Sequence, residues 1–156
     1  MIIVFGTLTI DMYIPSGVLP DVNAHVRCAH YQSFPGGKGA NQAFSASRSG
    51  AKTAIIGKIG DDAFGRRSTA SLKRESILGS GIGKGDLSTG CDIILPGQGE
   101  DKTIVSCIGA NAEATSSQIP NEILTPKNTV VAQLLIPVEE TLDLFTRAKE
   151  LSLIHI

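Results

Sequence analysis

A central parallel sheet wrapped by helices, with a small β appendage, is the α/β fold that this 156-residue sequence predicts. Three observations predict it. Ile2-Ile3-Val4-Phe5, Thr53-Ala54-Ile55-Ile56-Gly57 and Val130-Val131-Ala132-Gln133-Leu134-Leu135 are apolar runs of the kind found in strands buried on both faces. Helical stretches alternate with them: a small-residue run closing at Gly50, another from roughly Phe64 to Ile77, and a third from Val138 to Glu150. Cys91 to Leu95 and Lys102 to Cys107 flank Pro96-Gly97-Gln98-Gly99-Glu100-Asp101, a hairpin pattern with a longer loop.

In chain order, Ile2 to Phe5 is the first buried strand and ends at Gly6. Gly6-Thr7-Leu8-Thr9-Ile10-Asp11 then places an acid just past its carboxyl end, where ligands of open α/β sheets collect. A solvated loop acid is the plainer reading of Asp11 from this segment alone. Met12 to Ile14 and Val26 to Phe34 are extended segments for a minor sheet, and Pro15, Pro20 and Asn23 break the stretch between them.

Pro35 to Gly50, PGGKGANQAFSASRSG, is a glycine turn opening a helix that Gly50 stops. Such a turn presents free N–H groups and a positive dipole end, which suit an oxygen-rich ligand. A tight turn capping an ordinary helix would explain the glycines, but not the Lys38 and Asn41 among them. The spacing is neither that of a phosphate-binding P-loop nor that of the dinucleotide fingerprint.

After the strand at Thr53 to Gly57, Asp61 and Asp62 stand where an N-cap and first-turn acids belong. Gly79 to Gly90 is glycine-rich and polar, as loops are. Ser116 to Leu124 has room for a short helical turn. Pro137 opens the last helix, whose apolar side is Leu142, Phe145 and Ala148. Leu151 to Ile156 begins another apolar run, so the chain is expected to be the N-terminal part of a longer doubly wound protein, truncated at the C-terminus.

The length suffices for one domain with a sizeable core, and the net charge of -1 suggests no nucleic-acid surface. No run reaches the length of a membrane span, and the apolar start is too short for a signal peptide. Cys28, Cys91 and Cys107 have no metal spacing and are expected to be reduced thiols, buried as small hydrophobes, in a cytoplasmic protein.

Several of these pieces together resemble the ribokinase-like (PfkB) family of sugar kinases. They are Gly6 to Asp11, His30-Tyr31-Gln32 leading into Gly36-Gly37-Lys38-Gly39-Ala40-Asn41-Gln42-Ala43, and Arg48-Ser49-Gly50-Ala51. Gly60-Asp61-Asp62 with Gly65, Ser88-Thr89-Gly90, Gly109-Ala110-Asn111-Ala112 and Gln133-Leu134 follow in family order. The likeness implies a doubly wound ribokinase-like domain over 1–156, with lid segments near 12–34 and 91–107. It implies transfer of the γ-phosphate of ATP to a sugar, ribose to ribose 5-phosphate, with Mg²⁺ and a monovalent cation, K⁺. It implies a sugar pocket built from Thr9, Asp11, Gly37, Lys38, Gly39 and Asn41, and a homodimer formed through the β lid. No catalytic or metal-ligating residue is expected within the chain, because the family's catalytic base lies in a Gly-Ala-Gly-Asp motif beyond Ile156. A fragment without activity, a catalytically dead sugar-binding module, and a kinase for another sugar or a nucleoside are the alternatives. The chain departs from the family at Thr9, where Asn is usual, at Leu135, where an acid that touches the sugar is usual, and at Val22-Asn23-Ala24, where Pro-Gly-Glu is common.

Overall fold

The structure is a computed structural model and describes residues 1–17, 19–97 and 99–151. Among the described residues, eight strands form two four-stranded sheets. The main sheet has the order β5-β4-β1-β8, with β1 at Ile2–Phe5, β4 at Thr53–Ile59, β5 at Leu78–Lys84 and β8 at Thr129–Ala132, every pairing parallel. Both faces of β1 are buried. Ile3 and Phe5 pack into a core with Ile119, Ile136, Leu144 and Ala148, beneath helix α3 at Val138–Glu150. Val4 packs on the opposite face with Leu8, Ala40, Ala43, Ile55 and Leu72, under α1 at Lys38–Arg48 and α2 at Ala63–Arg74. An apolar run without alternation is what such double cover demands.

The second sheet has the order β3-β2-β6-β7, with β2 at Thr9–Tyr13, β3 at Gln32–Gly36, β6 at Gly90–Pro96 and β7 at Lys102–Cys107. Strands β6 and β7 form the expected hairpin, while β2 lies antiparallel to β3 and parallel to β6. Short 3-10 turns at Gly109–Glu113, Ser116–Gln118 and Asn121–Ile123 lead back to the main sheet. Asp62 caps α2, accepting from Gly65 N–H at 2.8 Å, and also accepts from the Thr89 N–H at 2.8 Å and hydroxyl at 2.7 Å. One carboxylate thus fixes both the start of α2 and the entry to β6. Asp61 instead meets Lys84 at 2.9 Å on the surface.

Several sequence expectations are corrected. The segment from Gly79 to Gly90 is not all loop, because its first part is edge strand β5. Pairing with β4 makes this strand despite its glycines. The register shifts between Ala54 and Ile56, and the Gln118 amide spans the irregularity, donating to Gly57 O at 2.8 Å and Gly81 O at 3.1 Å. Gly81 is tied to this packing, since a Cβ there would stand 2.6 Å from Ile56 Cγ1. The extended stretch expected from Val26 narrows to Gln32–Gly36. Asp11 lies within β2 of the second sheet, not in a loop past β1. Leu142 is exposed, and α3 buries Thr141, Leu144 and Ala148. The cysteines are free but not buried: Cys28 and Cys107 are exposed and Cys91 is half-buried. The run from Leu151 to Ile156 falls, past Leu151, outside the described residues. Among the described residues no helix is long and apolar enough to cross a membrane.

Candidate functional site

Glycines let three backbone segments meet at the carboxyl end of β1. Gly37 precedes α1 with φ 95°, and a Cβ there would stand 2.6 Å from Thr7 O. A Cβ on Gly39 would stand 2.6 Å from Gly6 C and 2.7 Å from Thr7 N. Ala40 N–H donates to Thr7 O at 3.1 Å, so the first turn of α1 is seated on the β1–β2 connection. Gly6 in turn lies under Gln133, whose Oε1 accepts from Thr7 N–H at 3.4 Å and whose amide also bonds Gln42. Gly37 and Gly39 allow close approach of main chain to main chain, and Gly6 makes room for the Gln133 side chain.

From the other side Asn111, fully buried, holds the same connection. Its Oδ1 accepts from Leu8 N–H at 2.8 Å, and its Nδ2 donates to Leu8 O and to Ile108 O, both at 2.9 Å.

A cleft of about 300 Å³ opens between this connection, the start of α1, the residues after β8, and the β6–β7 hairpin. Its polar lining comes from Thr7, Thr9, Lys38, Asp92 and Ser106, and its apolar lining from Ile104, Ile108 and Leu135. It sits where an open α/β sheet presents ligands, beyond the carboxyl ends of its strands. Thr7 is 2% exposed, and its Oγ1 has no hydrogen-bond partner among the described residues.

Across the second sheet the register aligns Asp11 on β2 with Asp92 on β6 and Ser106 on β7. Facing residues of neighbouring strands share one side of a sheet. Asp11 accepts from Thr9 Oγ1 at 2.8 Å and lies over Gly36, where a Cβ would stand 2.2 Å from Asp11 Oδ1. Burial pushes the Asp11 carboxyl above its usual range; the Thr9 hydrogen bond opposes this and the Asp92 charge adds to it. Burial likewise pushes up the Cys91 thiol on the same hairpin.

Of the residues singled out in the sequence, the structure brings Thr9, Gly37 and Lys38 to the cleft. Asp11 stands beside it on β2, and Gly39 is buried behind it against Gly6 and Thr7. Asn41 is not in it. It is exposed on α1 and lines a separate groove of about 320 Å³ with Phe34, Phe44 and Arg48. Thr7, Asp92, Ser106 and the buried Asn111 were missed as site residues. The available signal was an acid placed in an otherwise apolar hairpin arm, Cys91-Asp92-Ile93-Ile94, whose register could not be read without its partners.

Residues 1–151 match the family model described as pfkB family carbohydrate kinase. The chain is 34% identical over 145 residues to a ribokinase of Bacillus subtilis, covering 91% of this chain and 49% of that protein. It is 30% identical over 153 residues to fructokinase-2 of Solanum lycopersicum, covering 96% of this chain and 39% of the relative. A crystal structure of ribokinase from Cryptococcus neoformans in complex with ADP superposes with a TM-score of 0.84 at 26% identity, over 99% of this chain and 49% of that one. The chain therefore spans about half the length of the curated relatives it matches.

Proposed function

This chain belongs to the pfkB family of carbohydrate kinases, and from that premise we propose that its cleft is the sugar site of an ATP-dependent kinase converting ribose to ribose 5-phosphate. The observation that carries this reading is the convergence of Thr9, Gly37 and Lys38 on one cleft at the carboxyl end of β1. The ribokinase name of the 34%-identical relative supports ribose, and the ADP bound to the fungal structure supports a nucleotide co-substrate.

Each group has a task in this reading. Gly37 lets the ligand approach the main chain. Lys38 donates to sugar hydroxyls. Asp11, oriented by Thr9, supplies a fixed acceptor at the edge of the cleft. Asn41 reaches the sugar only if its side chain turns over the start of α1. The second sheet, covering the cleft with β6 and β7, acts as the lid. Its exposed Val105, on the face opposite Ile104 and the cleft, offers apolar surface to a second copy of the chain.

Among the described residues no group of three or more His, Cys, Asp or Glu side chains could hold a metal ion. What the described residues do is bind and orient a polyol. We accordingly propose that the 156-residue chain alone binds sugar without transferring phosphate.

Calorimetry and ligand-observed NMR on the purified chain, with ribose and fructose as probes, test the site. Ribose binding that Lys38→Ala weakens by roughly tenfold, with the melting temperature unchanged, is expected. Absence of binding by either sugar, or an unchanged Lys38→Ala variant, overturns the assignment. Ribose-dependent ADP release by the chain alone, in a coupled assay, overturns the proposed lack of turnover.

A further inference from the structure

We infer that Thr7, Asp92 and Ser106 form a hydroxyl-reading wall in this cleft, and that Asp92 determines which polyol the cleft accepts by requiring a vicinal diol against it. The inference rests on the sugar reading above and goes beyond it, since the glycine block and Asp11 carry that reading without Asp92.

Two independent observations point to a ligand at this wall. The first is Thr7: its hydroxyl is buried, lacks a partner, and belongs to a residue that lines the cleft. Buried hydroxyls are nearly always hydrogen-bonded, because desolvating one without compensation is costly. The second is Asp92. It is an acid on a half-buried strand, set between Cys91 and Ile93, and no described side chain hydrogen-bonds or ion-pairs with its carboxylate. Its aligned neighbours, Asp11 and Ser106, do not neutralise it.

The shape of the cleft fits one small carbohydrate. Its volume of about 300 Å³ lies at the lower end of small-molecule sites. Leu135, Ile104 and Ile108 offer apolar surface to the C–H face of a sugar ring, while Thr7, Asp92 and Ser106 are the polar side chains of the facing wall. An ionised carboxylate accepts only, with two oxygens, so two adjacent hydroxyls satisfy it together. A ligand lacking one of them leaves the carboxylate partly unpaired, which is how polar sites reject deoxygenated analogues. The aligned Asp11 charge raises the demand for donors, because each carboxylate makes the other costlier to leave bare.

The test is calorimetry on the chain with ribose, 2-deoxyribose and 3-deoxyribose, for the wild type, Asp92→Ala, Asp92→Asn and Thr7→Val. Thermal melts of each variant report folding separately. Supporting results are a ribose affinity reduced about tenfold or more by Asp92→Ala, and a ribose-to-deoxyribose preference that collapses toward unity in both Asp92 variants. Thr7→Val should weaken ribose binding without lowering the melting temperature, because its hydroxyl has no partner in the fold. If the wild type binds ribose and the Asp92 and Thr7 variants bind all three sugars as it does, this inference falls and the sugar site stands. If the wild type binds none of them, both fall.

Discussion

Asn111 closes a two-point clamp on Leu8, accepting from its N–H at 2.8 Å and donating to its C=O at 2.9 Å. The amide thereby replaces a strand partner for a residue between β1 and β2 that has none. Its side chain is fully buried, so removing it strands two main-chain groups away from water. Asn111→Ala is expected to cost about 2–4 kcal/mol, from one to two unsatisfied buried groups. Asn111→Asp should cost a similar amount, because its carboxylate cannot donate to Leu8 O. Urea midpoints decide this, and a loss under about 0.5 kcal/mol would show that the connection is held by other contacts.

Gly39 and Gly50 separate contact from backbone strain. Gly50 has φ 88° with nothing within 4 Å of the place a methyl group would take, so Gly50→Ala should cost only the left-handed backbone penalty, about 1–2 kcal/mol. Gly39→Ala has no such backbone penalty but drives a methyl to 2.6 Å from Gly6 C. Main chain on both sides leaves nothing flexible to yield. Gly39→Ala is therefore expected to be the more damaging, and to abolish ribose binding by prising α1 off Thr7. Equal melting temperatures for the two variants would contradict it.

Asp62 sets part of the acid limit of the fold. Burial raises its carboxyl, but hydrogen bonds from Gly65 and Thr89 outweigh this and hold it below the usual carboxylate range. A folded-state value below the unfolded one means stability present above the unfolded pKa, about 3.9, and lost as pH falls through the folded value. Asp62→Asn should flatten the loss of stability below about pH 4 while losing the bond from Thr89 N–H at neutral pH, since an amide offers one acceptor oxygen where the carboxylate offers two. Denaturation series in acid and at neutral pH read both effects, and parallel acid profiles for the two proteins would refute the assignment.

Asp11 has the opposite sign. Its carboxyl is raised by burial, against the Thr9 bond and with the Asp92 charge, so its ionisation opposes folding. The stability supplied by its protonated form is fully present below the unfolded pKa and is lost as pH rises through the folded one. Asp11→Asn should leave stability at neutral pH unchanged or higher, yet lower ribose affinity by about tenfold. A variant both less stable at neutral pH and undiminished in binding would reverse this assignment.

The buried strands were the legible part of the fold. Ile2–Phe5 carries its double cover in four consecutive apolar residues, and the hairpin arms show in the Pro96 to Asp101 break. β5 was illegible because Gly79, Gly81 and Gly83 lower intrinsic strand preference, and the pairing with β4 that overrides it lies outside the segment. In the candidate cleft, Lys38 and Gly37 were legible from the glycine block together with the family it resembles. Asp92 and Ser106 were not, since only the β2–β6–β7 register brings them beside Asp11. Asn41 shows the reverse: its place in the glycine block suggested the cleft, but the turn of α1 carries it to the neighbouring groove.

Strand β1 stands between β4 and β8, and its pairing of Ile3 with Val130 joins residues made more than a hundred positions apart. At typical synthesis speeds of about 5–20 residues per second, β1 waits on the order of 10 s for β8 after leaving the ribosome. Through that interval one edge of Ile2–Phe5 has no strand beside it, and the face that α3 covers is bare. A nascent chain in that condition is a substrate for holdase chaperones and a template for β-pairing with its neighbours on the same messenger.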